Sequence, residues 1–120
     1  MKKAFFIFMC LLISAQLNAF EANQQTEQAK AAISSHSNEI RMCYRDNEKK
    51  LKGAKGKVFI DFEINEQGVL IKSDVNEKKT TLKSEILINC MQEKFKKWTF
   101  PVAPKGETLK VTYPFAFKKI

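Results

Sequence analysis

Residues Gly56 to Val75, GKVFIDFEINEQGVLIKSDV, decide the fold of this 120-residue chain. In the first half of this stretch, apolar residues alternate with residues that are mostly polar: Val58, Ile60, Phe62 and Ile64. This period of two predicts a half-buried strand. The next four residues, 65–68, have the composition of a turn, and Val69, Ile71 and Val75 then resume the alternation. We therefore predict an antiparallel hairpin with these three residues on its apolar face.

A second alternating segment lies near the C-terminus. Large apolar side chains occupy every second position there: Leu109, Val111, Tyr113, Phe115 and Phe117. This pattern predicts a third strand with a strongly aromatic inner face. Pro114 has no N–H to donate to a strand ladder, so this strand must lie at the edge of the sheet or contain a bulge there.

Helical spacing occurs once before the hairpin and once after it. The first set predicts a helix over about 30–51, with Gly53 as a stop signal, and it comprises Ile33, Ser37, Ile40, Tyr44 and Leu51. The second set follows Ser84, a residue suited to cap a helix, and it comprises Leu87, Cys90, Met91, Phe95 and Trp98. The order predicts an α+β fold of type αββαβ, in which a three-stranded antiparallel sheet has two helices packed on one face.

The N-terminal residues predict export. Lys2 and Lys3 precede an apolar run over 4–14 that is well short of the roughly 20 residues needed to span a bilayer. We interpret residues 1–19 as a signal peptide cut after Ala19, with a cut after Ala22 as the alternative. The predicted location is the periplasm, and secretion or membrane anchoring is less favoured.

Export leaves a polar N-terminal segment over 20–30 and one domain over 31–120. It also leaves two cysteines, Cys43 and Cys90, in an oxidising compartment. Only one intramolecular pairing is possible, so we expect a disulfide between them, which would tie helix to helix over the sheet. Two buried free thiols and an intermolecular bridge are the alternatives.

The chain is basic, with 21 Lys and Arg against 13 Asp and Glu and a formal charge of +8. Outside the cytoplasm the available anions are lipid headgroups, lipopolysaccharide and wall polymers, so a nucleic-acid partner is not expected. Closely spaced lysines suggest binding to an anionic wall or membrane surface as an alternative function, and they are Lys49, Lys50, Lys52, Lys55 and Lys57.

The sequence has no pattern typical of an enzyme. His36 is the only histidine and has no neighbours at metal-ligand spacing, and Asp61 and Glu63 fit the solvated face of a strand. No nucleophile elbow or Gly-rich phosphate loop is present. We expect no catalytic residue, metal, cofactor or small-molecule substrate. A small secreted hydrolase, or an inhibitor of one, is an alternative supported only by size, export and a disulfide.

Two aromatic features have both a structural and a functional interpretation. The richest cluster fits core packing better than a peptide or glycan groove, and it comprises Trp98, Phe100, Tyr113, Phe115 and Phe117. Phe59 falls on the polar face of its strand, where it would anchor a partner or cover a neighbouring side chain.

An ordered set of short motifs resembles a known family. The motifs are Ile40-Arg41-Met42-Cys43-Tyr44, Gly56-Lys57-Val58, Phe62-Glu63-Ile64, Gly68-Val69, Cys90, Trp98-Thr99-Phe100-Pro101 and Tyr113-Pro114-Phe115-Ala116-Phe117. Together they resemble the AgmX/PglI-type C-terminal domain, a TonB C-terminal-like module, over most of the chain from about residue 33 to 117.

The resemblance implies the αββαβ fold, a bridge between Cys43 and Cys90, and protein contacts in a bacterial envelope. It also implies that the last strand offers its edge to an extended segment of an envelope protein. The implied partner-binding residues are Thr108, Leu109, Lys110, Val111 and Thr112. Energy transducers of this type have a membrane helix that engages a motor, and a Pro-rich spacer. This sequence shows neither pattern, so we do not expect energy transduction by this polypeptide alone.

Overall fold

The computed structural model of the chain describes residues 24–118, and the predicted signal peptide and both of its cleavage points lie outside that range. The elements in chain order are α1 (24–35), α2 (Ser37–Asp46), α3 (Glu48–Leu51), β1 (Gly56–Ile64), β2 (Leu70–Val75), α4 (Glu85–Phe95) and β3 (Leu109–Phe117). The sheet has the order β2-β1-β3, and β1 is antiparallel to both neighbours. The predicted α+β class and three-stranded antiparallel sheet are confirmed.

The first predicted helix is a series of three helical segments. The helix ends at His36 and again at Asn47, and helical structure is already present at residue 24, earlier than the predicted start near residue 30. Ala29 and Ile33 of α1 are fully buried in the same core as Ile40 of α2. The polar composition of residues 24–30 hid this start, because Ala29 is the only fully buried residue among them.

One face of the sheet is covered by the helices. Alternate residues of β1 and most alternate residues of β3 are buried, whereas the residues between them are half-buried or exposed. Helix α4 begins where predicted, since the Ser84 hydroxyl accepts a hydrogen bond from the Leu87 N–H at 3.3 Å. Its inner face adds Met91 and Phe95 to the core. No helix within residues 24–118 is long and apolar enough to cross a membrane.

Strand β2 differs from its prediction. Val69 and Ile71 were expected on the apolar face of the hairpin, but each is 53% exposed. Leu70 and Val75 pack against the core instead. The prediction was wrong for Val69 and Ile71 and right for Val75.

A bulge in the β1–β2 ladder causes this difference. Glu63 pairs with Lys72, but the next residue of β1, Ile64, pairs with Leu70, so Ile71 is passed over. An extra residue on one strand reverses the side to which the following side chains point. The residues after the turn therefore point to the face opposite to the one that simple alternation predicts.

Candidate functional site

A disulfide fixes the two main helices over the sheet. The Sγ atoms of Cys43 in α2 and Cys90 in α4 are 2.08 Å apart. Cys43 is fully buried, and Cys90 is partly buried beside it. The structure thus has the predicted intramolecular helix-to-helix bridge, which uses both cysteines of residues 24–118.

Strand β3 forms one edge of the sheet and pairs with β1 along its whole length in one continuous register. The direction of the backbone groups follows from a bond at the opposite side of β1, where the Asn76 N–H donates to the Phe59 carbonyl at 2.8 Å. Backbone groups alternate between the two sides of a strand. Phe59 and Asp61 therefore face β2, and Ile60 and Phe62 face β3.

The pairing register with β1 also determines which way the backbone groups of β3 point. Val111 pairs with Phe62 and so bonds to β1, whereas Lys110 and Thr112 direct their N–H and carbonyl groups away from the sheet. Among residues 24–118, no hydrogen bond satisfies these outward groups. Of the predicted partner-binding residues, Lys110 and Thr112 direct backbone groups to the open edge, Leu109 and Val111 direct theirs to β1, and Thr108 precedes the strand.

Pro114 continues the same outward set. It pairs with Phe59, so its backbone nitrogen lies at the open edge, where the absence of an N–H breaks no bond within the sheet. The β3 register contains no bulge. The prediction that Pro114 lies at a sheet edge is confirmed, and the row of outward donors is interrupted at this residue.

The edge formed by β2 is not open in the same way. Ser73 pairs with Phe62, so its backbone carbonyl points away from β1. The Gln92 side-chain amide of α4 donates to this carbonyl at 2.8 Å, and the Ser73 hydroxyl donates to the Gln92 Oε1 at 2.6 Å. A side chain of the same molecule thus occupies the middle of this edge, and the bulge at Ile71 distorts the rest.

Two polar side chains of β3, one of them charged, pair with carboxylates of β1 across the outer face of the sheet. The Thr112 hydroxyl donates to Asp61 Oδ1 at 2.6 Å, and the Lys110 Nζ lies 3.7 Å from Glu63 Oε1. The Asp61 and Glu63 carboxylates are therefore both engaged in side-chain pairs between neighbouring strands. They also hold the Lys110 and Thr112 side chains on the outer face, so the backbone at the edge is accessible.

His36 belongs to a cluster that the sequence does not reveal. Its ring stacks on Trp98 with 4.4 Å between centroids, and its Nδ1 lies 2.6 Å from the Glu39 carboxylate. The Trp98 indole N–H donates to the same carboxylate at 3.1 Å. This cluster joins α2 to the segment after α4. Within residues 24–118, no group of three or more His, Cys, Asp or Glu side chains is placed to hold a metal ion.

The aromatic residues are mostly structural. Tyr113 of the predicted cluster is partly buried. The other four side chains are buried, and they are Trp98, Phe100, Phe115 and Phe117. The core-packing interpretation is confirmed for these residues. Phe59 is half-buried on the outer face, and the Lys79 Nζ lies 6.0 Å from its ring centroid.

Comparison with known proteins gives one similar structure to report. Neither a protein-family model nor a curated protein sequence matches the chain. The chain is similar to the NMR solution structure of a TonB C-terminal domain from Helicobacter pylori, with a TM-score of 0.48 and 17% sequence identity. The match covers 79% of this chain and 94% of that one.

Proposed function

We propose that this chain is a periplasmic interaction module of the bacterial envelope, which binds an extended segment of a partner protein at the open edge of β3. The difference between the two sheet edges carries this proposal. The β2 edge is occupied by Gln92, whereas Lys110 and Thr112 present unbonded backbone groups on β3. A strand added to such an edge gains main-chain hydrogen bonds without any cavity.

The proposal includes export and family membership. We assign residues 1–19 to a cleaved signal peptide, 20–30 to a polar segment whose Ala29 packs into the core of the domain, and 31–120 to the binding domain itself. We place the domain with the AgmX/PglI-type TonB C-terminal-like modules. The Cys43–Cys90 disulfide supports export, because such bonds persist mainly in oxidising compartments. The proposed role is binding, with no catalytic step and no cofactor.

The expected affinity of the edge alone is modest. Lys110 and Thr112 offer two N–H and two carbonyl groups, and a net hydrogen bond contributes about 0.5–1.5 kcal/mol. Four such bonds give roughly 2–6 kcal/mol, which corresponds to dissociation constants from about 30 mM down to about 40 μM before the cost of ordering the partner is subtracted. Side-chain contacts must therefore supply the rest of a useful affinity.

The test uses peptides selected for binding. A library of random peptides is displayed and selected on the purified, disulfide-bonded domain, and the enriched peptides are synthesised. Their affinities are measured for the unaltered domain and for Thr112→Pro, which removes one outward N–H. Thr112→Ala is the matched control, since it removes only the hydroxyl contact with Asp61 and keeps the backbone donor.

We expect Thr112→Pro to weaken binding at least about tenfold, the equivalent of one lost bond of about 1.4 kcal/mol, and Thr112→Ala to bind like the unaltered domain. Circular dichroism checks that each variant is folded. Val111→Pro is unsuitable, because Val111 bonds to β1 and its replacement would disrupt the sheet. Unchanged binding by folded Thr112→Pro would contradict the proposal.

A second candidate function is attachment to an anionic wall or membrane surface. Five exposed lysines favour it, since none forms an ion pair with any residue in 24–118: Lys49, Lys50, Lys52, Lys55 and Lys57. Cosedimentation with wall fragments or anionic vesicles tests this function. Surface attachment should disappear as salt rises from about 0.1 M to 1 M, because the Debye length falls from about 10 Å to 3 Å.

A further inference from the structure

Three distant segments of the chain meet at one end of the molecule, where α2 ends, β1 begins and β3 ends. The Tyr44 hydroxyl donates to the Ala54 carbonyl at 2.6 Å, and the Tyr44 ring stacks on Phe117. The Lys57 carbonyl accepts a hydrogen bond from the Thr81 N–H at 2.9 Å. Residues 41–57, 76–85 and 116–118 therefore form one continuous surface, which we call the basic end.

Almost all of the net charge of the described chain lies at the basic end. Its three segments contain eleven Lys and Arg and four Asp and Glu, whereas the remainder of residues 24–118 contains seven and eight. The formal charges are thus +7 and −1. Only one of the ion pairs within 24–118 lies at the basic end, between Lys83 and Glu77 at 3.9 Å. The positive charge there is largely uncompensated by neighbours and produces a local positive potential.

The open edge of β3 leads into this surface. The strand runs from Leu109 to Phe117 towards the basic end, and exposed Lys118 follows it. Lys110 and Thr112 offer outward N–H groups, but Pro114 offers none. A partner strand that pairs with the first half of β3 therefore meets a missing donor at Pro114, just before it reaches the basic end.

Two arginines of α2 lie on the side of that helix that faces away from α4. Cys43 of α2 is bonded to α4, so the side of α2 that faces α4 is fixed. Residues 41 and 45 lie two positions before and after Cys43, which places Arg41 and Arg45 away from α4 on the helix surface. Tyr44 stacks on Phe117 of β3, and Gln92 of α4 bonds to β2. The side of α2 that lies away from α4 is therefore the side of the open edge.

From this arrangement, and resting on the strand addition proposed above, we infer that the partner segment is acidic on one side of its paired stretch. Strand-forming residues pair with Lys110 and Thr112, and an adjoining run of Asp or Glu passes Pro114 and lies against Arg41, Arg45 and Lys118. Main-chain bonds hold the first part, and charge adds to the weaker pairing beyond the missing donor at Pro114. A few exposed charge contacts should raise affinity on the order of tenfold and speed association at low salt.

Continuity of the edge with the basic end favours a peptide over a lipid surface. A bilayer contacts lysines and arginines but cannot pair with the backbone of a strand, so lipid binding would be independent of β3. An acidic extended segment uses both features in one molecule. The selection of displayed peptides therefore also tests this inference, because the composition of the enriched sequences is free to vary.

We expect the enriched peptides to combine a strand-forming stretch with Asp or Glu on one side of it. Arg41→Gln combined with Arg45→Gln should weaken these peptides about tenfold. Lys97→Gln combined with Lys105→Gln is the matched control, since it removes the same charge from exposed residues outside the basic end. Peptides with Asn and Gln in place of the acidic residues should bind all three proteins equally.

Amide signals in NMR spectra separate the possible outcomes. Peptides that shift the Lys110 and Thr112 amide signals but show no acidic preference would leave strand addition standing and overturn the acidic segment. Peptides that leave those signals unchanged would overturn both. If the Arg41 and Arg45 replacements abolish binding to vesicles of anionic phospholipid but leave peptide affinity unchanged, the basic end is a membrane surface and the inference is wrong.

Discussion

Reduction of the Cys43–Cys90 disulfide should lower the free energy of unfolding by about 4 kcal/mol. The two cysteines are 47 residues apart. For a loop of that length, the chain-entropy relation gives about 4 kcal/mol at 25 °C, because the bond removes conformations from the unfolded chain. A domain of this size has a total stability of about 5–15 kcal/mol, so the disulfide provides a large share of it.

Urea denaturation followed by circular dichroism measures this difference in the same protein, with and without reductant. Reduction is preferable to substitution, since replacing fully buried Cys43 would also remove packing contacts. The double variant Cys43→Ala with Cys90→Ala is the control, and its stability should not respond to reductant. The slope of the free energy against urea should also rise on reduction, because an unfolded chain without the bridge exposes more surface.

The entropic reasoning fails if reduction lowers stability by less than about 1 kcal/mol with no change in slope. Such a result would mean that the unfolded chain is not restricted by the bridge, or that the native helices gain freedom that offsets it. A response of the double variant to reductant would show instead that the measured change does not come from this disulfide.

Three further predictions concern stability. Gly68→Ala should destabilise the domain by about 1–3 kcal/mol in urea, because φ is +78° and a Cβ would lie 2.6 Å from the Phe100 carbonyl oxygen; Gly53→Ala, with open space around it, is the control for φ alone. Gln92→Ala should lose about 1–3 kcal/mol and increase self-association in light scattering, since it frees the β2 edge; a variant that stays monodisperse would contradict the capping role. Trp98→Phe should lower the free energy of unfolding by about 1–3 kcal/mol, mostly because the indole hydrogen bond to the Glu39 carboxylate is lost. An unchanged urea midpoint would show that this hydrogen bond does not stabilise the domain.

The parts of the fold that could be predicted depend on local physics. Strands β1 and β3 follow from side-chain alternation, and the start of α4 follows from Ser84, whose hydroxyl caps the helix as expected. The edge position of β3 follows from the missing N–H of Pro114. Each of these signals lies within a few residues of the element that it predicts.

The parts that could not be predicted depend on pairing between distant residues. The bulge at Ile71 is a property of two strands, so the alternation of one strand cannot reveal it. Gln92 and Trp98 have the helical spacing or position of ordinary helix residues, but their partners lie 19 and 59 residues away. The break at His36 belongs to the same long-range cluster.

The candidate site was likewise predictable only in part, because its details depend on pairing between distant residues. The sequence resemblance points to residues 108–112, but only the register with β1 shows that Lys110 and Thr112 face outward and that Val111 does not. The concentration of charge is equally hidden, because the basic end is assembled from segments near residues 41, 76 and 116. The sequence alone shows the total charge of the chain, but not where on the folded molecule that charge is concentrated.

The hydrogen bonds between Gln92 and Ser73 determine how many sheet edges of the molecule are open to strand pairing, which is its valence in the chemical sense. A unit with two reactive edges is bifunctional, and successive copies can join into a growing fibre. A unit with its β2 edge capped is monofunctional, so the strand addition proposed above would join one molecule to one other strand and then stop. In the language of polymer chemistry, a glutamine in this position acts as a chain terminator for edge-to-edge pairing of sheets.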